Sequence, residues 1–396
     1  AWPRFRGGSF DNVSRDDTPL ARTWPEAGPP KLWEVELGEG HAGPAVLDGR
    51  VYVLDYDRAN QADVMRCLSL ADGKDIWRFS YPIRIKRYHG MSRTVPAVTD
   101  KYVLGLGPKC HVTCLDAVTG KLLWAIDLPT QYGTTVPEWY AGQCPLIDGD
   151  RAILAPGGPE ALMMAVECST GQVVWKTPNP RRWGMTYSSI VPMSIAGRRT
   201  YVYCTTGGVV GIDAESGKIL WEYDKWRIRI ANVPTPVVLP DGRILLTGGN
   251  NAGAMMLRIR VEGDRLVPEK LYHLKHEVFS SHQQSPILYK GHVYGVRQDG
   301  QLVCLALDGK VVWASGSDHT FGLGPFLIAD GMLFLQDGPR DKAGPLVLAE
   351  ATSEGFKPLT RAQVLNGHDA WGPMAIVKGR LLVRDLKKMV CLDVRR

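Results

Sequence analysis

The chain has 396 residues, 47 of them basic and 41 acidic, for a formal net charge of +6. That excess is mild and no Lys/Arg tract stands apart, so nothing marks the chain as a nucleic-acid binder. No apolar run approaches the ~20 residues of a membrane-crossing helix, and with no signal-peptide pattern Ala1 reads as a mature or trimmed start.

Residues 1–30 are rich in Pro, Gly and Arg and predict an irregular lead-in packed on the remainder of the chain. Lys31-Leu32-Trp33-Glu34-Val35-Glu36-Leu37 reads as a lone strand carrying a tryptophan. From there one unit recurs. Pro44, Pro96, Pro145, Pro192, Pro236, Pro286, Pro325 and Pro373 each open a short apolar strand, at intervals of 52, 49, 47, 44, 50, 39 and 48 residues. Self-similarity at that period signals stacked or radial repeats. The first unit predicts strands near Ala45–Leu47, Val51–Asp55, Met65–Leu70 and Ile76–Phe79. Turns such as Asp48-Gly49, Asp148-Gly149, Asp241-Gly242 and Asp330-Gly331 join the first two strands of their units, because glycine accepts the positive φ of a tight hairpin.

About thirty residues after most of the prolines comes a polar-Gly turn and then a tryptophan on the outgoing strand. The copies end at Trp77, Trp124, Trp175, Trp221 and Trp313, and Tyr272 stands where the copy between the last two has lost its indole. Four strands in about 45 residues is the arithmetic of a propeller blade, and β-helix coils are shorter. A chain this long would ordinarily suggest two or three domains. The repeat instead makes residues 31–396 one ring. The last unit ends at Val394 without a tryptophan strand, and residues 32–37 are a tryptophan strand without a unit. Pairing the two closes an all-β, eight-bladed β-propeller with four antiparallel strands per blade.

The repeated Thr-Gly-Lys-x-x-Trp segment, as at Thr119-Gly120-Lys121-Leu122-Leu123-Trp124, resembles that of the PQQ-type (pyrroloquinoline quinone) eight-bladed propellers. That family includes quinoprotein alcohol dehydrogenases, the propeller lipoprotein of the outer-membrane barrel-assembly machinery, and secreted proteins of unassigned role. The opening Trp2-Pro3-Arg4-Phe5-Arg6-Gly7 resembles the start of the last group. The resemblance covers nearly the whole chain. It implies the fold and a periplasmic or secreted location, but the repeated residues hold blades together and do not specify chemistry. A lipid-anchored member would start its mature chain with Cys, unlike this chain.

Cys67, Cys114, Cys304 and Cys391 share one strand position in four units, which points to buried reduced thiols acting as small apolar residues. Cys110-His111-x-x-Cys114 has no partners at ligand spacing and reads as strand packing.

A strand-opening proline in a propeller lies near the axis, where the first residue of a strand need not donate to the ladder. The loop before it therefore faces the funnel mouth, a concave place that ligands favour. The 40 positions lying three to seven residues ahead of the eight prolines hold five of the nine histidines: His41, His89, His282, His319 and His368. Chance would place about one there, and the repeat itself needs none. Arg93, Glu138, Trp139, Tyr140, Gln143, Tyr187, Ser189, Asn232, Gln283, Asp369 and Trp371 share these loops, and so do the bases Arg84, Lys86, Arg87, Arg181, Arg182, Lys225, Arg227 and Arg229. The set predicts a polar, partly cationic funnel for an anionic or carbohydrate-like ligand, since arginine's fork suits oxyanions and aromatics suit a sugar face.

Three roles could use it. The leading expectation is binding or scaffolding, with a small molecule, a glycan or a protein partner on the propeller face of a monomer. The second is a divalent metal on His282, His319 and His368, completed by Asp369, for lyase or hydrolase chemistry on sugar derivatives. The third comes from the resemblance: PQQ with calcium, for alcohol or sugar oxidation, with Glu138 and Asn232 nominated for the ion, Asp369 as base and Arg93 near the quinone. The chain lacks the adjacent Cys pair and the substrate-covering insertions of such enzymes.

Overall fold

In the computed structural model, the structure describes all residues except 89 and 340. Eight four-stranded antiparallel sheets form the ring. Blade 1 consists of Ala45–Leu47, Arg50–Asp57, Ala62–Ser69 and Asp75–Pro82. Blades 2 to 7 come next in chain order. Blade 8 takes Ala375–Val377, Arg380–Arg384 and Lys388–Asp393, and its fourth strand is Lys31–Glu36. The two ends of the chain thus close the ring by an antiparallel pair in which Trp33 faces Cys391. The one helix among the described residues is Leu128–Tyr132, and no helix is long and apolar enough to cross a membrane.

Burial grades outward. First strands are almost wholly buried, whereas fourth strands alternate, as in Asp75–Pro82. In five blades the hairpin between first and second strands uses a two-residue turn with both φ positive, as at Asp48-Gly49 and Asp330-Gly331, the twist that suits a tight hairpin.

The tryptophan motif explains how blades are joined. In every blade the pairing of third and fourth strands shifts by a bulge next to the tryptophan position. A bulge adds twist and re-aims a side chain. The indole swings over the polar-Gly turn of the next blade, and its Nε1 donates to a carbonyl there: Trp33 to Leu70, Trp77 to Ala117, Trp124 to Cys168, Trp175 to Ala214 and Trp313 to Thr352, at 2.8–3.3 Å. At Gly73, Gly120, Gly171 and Gly217 a Cβ would stand 2.4–2.8 Å from the ring, so glycine is required for clearance as well as for φ. Tyr272 does take the vacant place, with its ring against Gly309 and its hydroxyl 3.4 Å from the Leu307 carbonyl. Trp221 is the exception. It folds over Gly211 of its own blade, and its Nε1 is buried without a partner, because the outer hairpin of blade 5 has ten-residue strands that carry its turn away.

All eight cysteines are buried and unpaired in disulfides. Cys67, Cys114, Cys304 and Cys391 each sit opposite the tryptophan of their blade. Cys110 packs its sulfur 3.8 Å from that of Met185, and Cys114 faces the Cys168 carbonyl, so the two thiols serve different packing sites.

The lead-in crosses the axis. Trp2 exchanges backbone hydrogen bonds with Val46 of blade 1, and Pro3 accepts from Val98 of blade 2. Arg4 reaches the Ile147 carbonyl of blade 3. Arg6 is buried and donates to the Pro236 and Pro286 carbonyls of blades 5 and 6. Asn12 and Ser14 bracket Ile328 of blade 7, Asp16 accepts from Lys378 of blade 8, and Ala21 bonds to Val394. Residues 2–14 therefore lie across the hub, below the ring of prolines.

Candidate functional site

Above that segment the interblade loops enclose a cavity of about 770 Å³. Phe5 and Asn12 of the lead-in form part of its lining, so the cavity is blind at that end. All eight interblade connections contribute to the wall: His41 ahead of blade 1, Tyr88 and Arg93 ahead of blade 2, Trp139 and Gly142 ahead of blade 3, Tyr187 and Ser189 ahead of blade 4, Ile230, Ala231 and Val233 ahead of blade 5, His282, Gln283 and Gln284 ahead of blade 6, Leu323 ahead of blade 7, and Asp369 and Trp371 ahead of blade 8.

Ring packing and bonds to the backbone position several of these groups. The His41 ring stacks on Trp371 with centroids 5.2 Å apart and planes at 22°. Trp371 is fixed in turn by Nε1–H donation to Gly338 O at 2.9 Å. The loop carrying His41 is clamped by Arg384, fully buried, whose guanidinium donates to the carbonyls of Ala42, Asp385 and Leu386. Burial draws that guanidinium down to about 10. On the other side Trp139 and Tyr187 form a tilted pair 5.9 Å apart, and the Trp139 N–H donates to the Tyr187 hydroxyl at 3.0 Å. Arg93 lies beside them and donates to the Tyr88 carbonyl at 3.2 Å. Burial pulls its pKa down to about 10, opposed by Tyr187 and Tyr140, and it stays cationic at neutral pH. Gln283 and Gln284 donate to carbonyls of the loop ahead of blade 7, which locks blades 6 and 7 at the rim.

Loop ends are pinned by one recurring device. A carboxylate at the end of a second strand accepts from a glycine N–H in the loop ahead of the same blade: Asp55 from Gly38, Asp337 from Gly322 and Asp385 from Gly367. Asp369 adopts φ +52° and Tyr140 φ +67°, a region costly for side chains other than glycine and frequent where a loop is held to a purpose.

Of the residues expected from sequence, His41, Arg93, Trp139, Tyr187, His282, Gln283, Asp369 and Trp371 come together around this cavity. His89 lies outside the described residues. Glu138, Tyr140, Gln143, Asn232, His319 and His368 do not line it. Tyr140 turns out to the Lys86 carbonyl. Gln143 and Asn232 are buried behind the wall, where side-chain atoms of both, and of neighbouring Ser188, have no hydrogen-bond partner. His319 packs in a tilted pair against Phe356, 5.2 Å away on the flank of blade 7, and His368 leans 3.4 Å from the Asp369 carboxylate.

The nominated metal sets do not assemble. His282 lines the cavity whereas His319 and His368 do not, and among the described residues no three His, Cys, Asp or Glu side chains are grouped to hold an ion. The calcium set implied by resemblance fares no better, since Glu138 and Asn232 do not share the cavity with Asp369. No reaction step is assigned through either group. Sequence reasoning missed the floor formed by Phe5 and Asn12 and the clamp Arg384. The aromatic and basic run Trp2-Pro3-Arg4-Phe5-Arg6 was the available signal for the floor.

A family model described as "Outer membrane protein assembly factor BamB" matches residues 60–315. The quinoprotein alcohol dehydrogenase PedH of Pseudomonas putida is 27% identical over 174 residues, which is 41% of this chain and only 28% of that longer relative. Among solved structures, BamB from Moraxella catarrhalis superposes with a TM-score of 0.61 at 15% identity, over 92% of this chain and 99% of that one. The quinohemoprotein alcohol dehydrogenase ADHIIG of Pseudomonas putida HK5 gives 0.61 at 12% identity, over 92% and 76%. At such identities structural likeness speaks for the fold alone.

Proposed function

This chain belongs to the family described as outer membrane protein assembly factor BamB, within the PQQ-like propellers, and from that premise we propose that it is a binding propeller whose axial cavity takes up a small anionic or carbohydrate-like molecule. The observation that carries this reading is the convergence of a half-buried cation, Arg93, with the aromatic faces of Trp139, Tyr187 and Trp371 around a single blind cavity. A carboxylate could pair with the guanidinium while a sugar ring lies on an indole. His41, His282 and Gln283 would supply hydrogen bonds to hydroxyls. The volume, about 770 Å³, is in the range of small-molecule pockets. The family description also favours a periplasmic or secreted location and a second reading, in which a protein partner sits on the same face.

The test is a tryptophan-fluorescence titration with glucuronate, galacturonate, gluconate and neutral glucose. A sugar acid should quench or shift emission saturably, and Arg93→Ala or Trp139→Ala should weaken it roughly tenfold or more, the loss expected for one charge-assisted pair. Equal response to all compounds, or none in any, would defeat the small-ligand reading. Partner binding that survives both substitutions would favour the scaffold.

A further inference from the structure

A second depression, of about 510 Å³, lies beside the axial cavity between blades 1 and 2. Its rim carries Arg58 and Gln61 from the turn between the second and third strands of blade 1, Arg84, Lys86 and Arg87 from the interblade loop, and Lys109 of blade 2. The floor is apolar: Tyr56, Ile85 and Met91 form a small buried cluster of their own, with Ile83 packed against it. Ile83-Arg84-Ile85-Lys86 alternates like a strand, isoleucines down and bases up.

The basic loop is pinned in place. Ile83 N–H donates to the Gln61 carbonyl at 2.8 Å. The Tyr56 hydroxyl donates to Ile83 O and accepts from Ile85 N–H, and the Tyr140 hydroxyl donates to Lys86 O. Of the five cations only Arg87 has a carboxylate partner among the described residues, namely Glu39, which Lys387 also engages. This contrasts with paired surface arginines elsewhere, such as Arg15, Arg78, Arg199 and Arg395. Four cations with no carboxylate partner among the described residues stand around one concavity and repel each other unless an anion joins them, and a concave wall concentrates their field.

We infer that this depression is an oxyanion site, binding a phosphate or sulfate ester on a small polar molecule. Arg84 offers a fork for two ester oxygens, Lys86 and Lys109 act as point charges, and Gln61 can donate to a third oxygen. The site stands apart from the axial cavity and does not rest on the reading given for it.

Isothermal titration at fixed ionic strength with glucose 6-phosphate, glucose 6-sulfate and glucose tests it. Either ester should bind where glucose does not, and the preferred ester identifies the group. Arg84→Ala/Lys86→Ala should weaken that binding roughly tenfold or more, with an unchanged melting temperature because both side chains are exposed. Lys109→Ala should weaken it in the same direction, and Arg227→Ala/Arg229→Ala, in the basic loop ahead of blade 5, should not. Esters that bind no better than glucose, or bind the double variant as well as the wild type, overturn the site.

Discussion

Trp124 shows how one residue type makes a ring. Its indole donates to Cys168 O at 2.8 Å and covers Gly171, so it is at once a hydrophobic plug and a directional bond between blades 2 and 3. Trp124→Ala should cost about 3–5 kcal/mol in chemical unfolding, the range for emptying a buried indole site. The same substitution at Trp221, whose Nε1 has no partner, removes packing but no hydrogen bond and should cost less. These contacts were legible in sequence because they recur. Asp63 was not, because it occurs in one blade only. Its carboxyl is buried, accepts from Tyr81 Oη at 2.8 Å, and is pushed up to about 7, chiefly by burial. Since the folded value lies above the unfolded one near 3.9, the native state binds the proton more tightly. Stability from this group is present at low pH and is lost as pH rises from about 4 through 7. Asp63→Asn should therefore gain on the wild type between pH 5 and pH 8 in paired denaturation curves. A constant difference across that range would show that Asp63 is ionised throughout.

At the scale of the element, the lead-in and the loops divide the work: one closes the hub, the others furnish it. The guanidinium of Arg6 ties the lead-in to blades 5 and 6 through two proline carbonyls. Arg6→Ala should destabilise the fold by about 1–3 kcal/mol for each buried carbonyl left without a donor. Faster hydrogen exchange at Val46 and Val98 amides, which bond to this segment, would check it. The composition of residues 1–30 implied an irregular strap, yet nothing in it foretold that residues 2–14 cross the axis. The histidine pattern had similar reach. Position ahead of a proline brings a loop to the funnel face, but not every side chain of such a loop turns inward. His41, three residues ahead of its proline, is held against Trp371 and lines the cavity, as does His282, four ahead, whereas His319, six ahead, lies against Phe356. The bases took a third course, for Arg84 and Lys86 rim a depression of their own.

For the whole molecule, closure is the critical event. Lys31–Glu36 completes blade 8, so the first and last segments of the ring meet in one sheet. Removing residues 1–36 would leave Lys388–Asp393 as a long unpaired edge, which invites association. Such a truncation should lose the cooperative unfolding transition and elute as aggregates in size-exclusion chromatography. The repeat period made the ring and its closure readable from residues alone, because both are encoded many times over. The cavity is encoded once, by single residues from separate loops, and takes shape only when the ring is shut. Its occupancy is tested most directly by a crystal structure of the protein soaked with saturating glucuronate. Density should appear in the axial cavity, with the carboxylate on Arg93 and the ring against Trp139 or Trp371. Glucuronate bound only outside the axial cavity, or a cavity that excludes it at saturation, would show that the cavity is not a sugar-acid site.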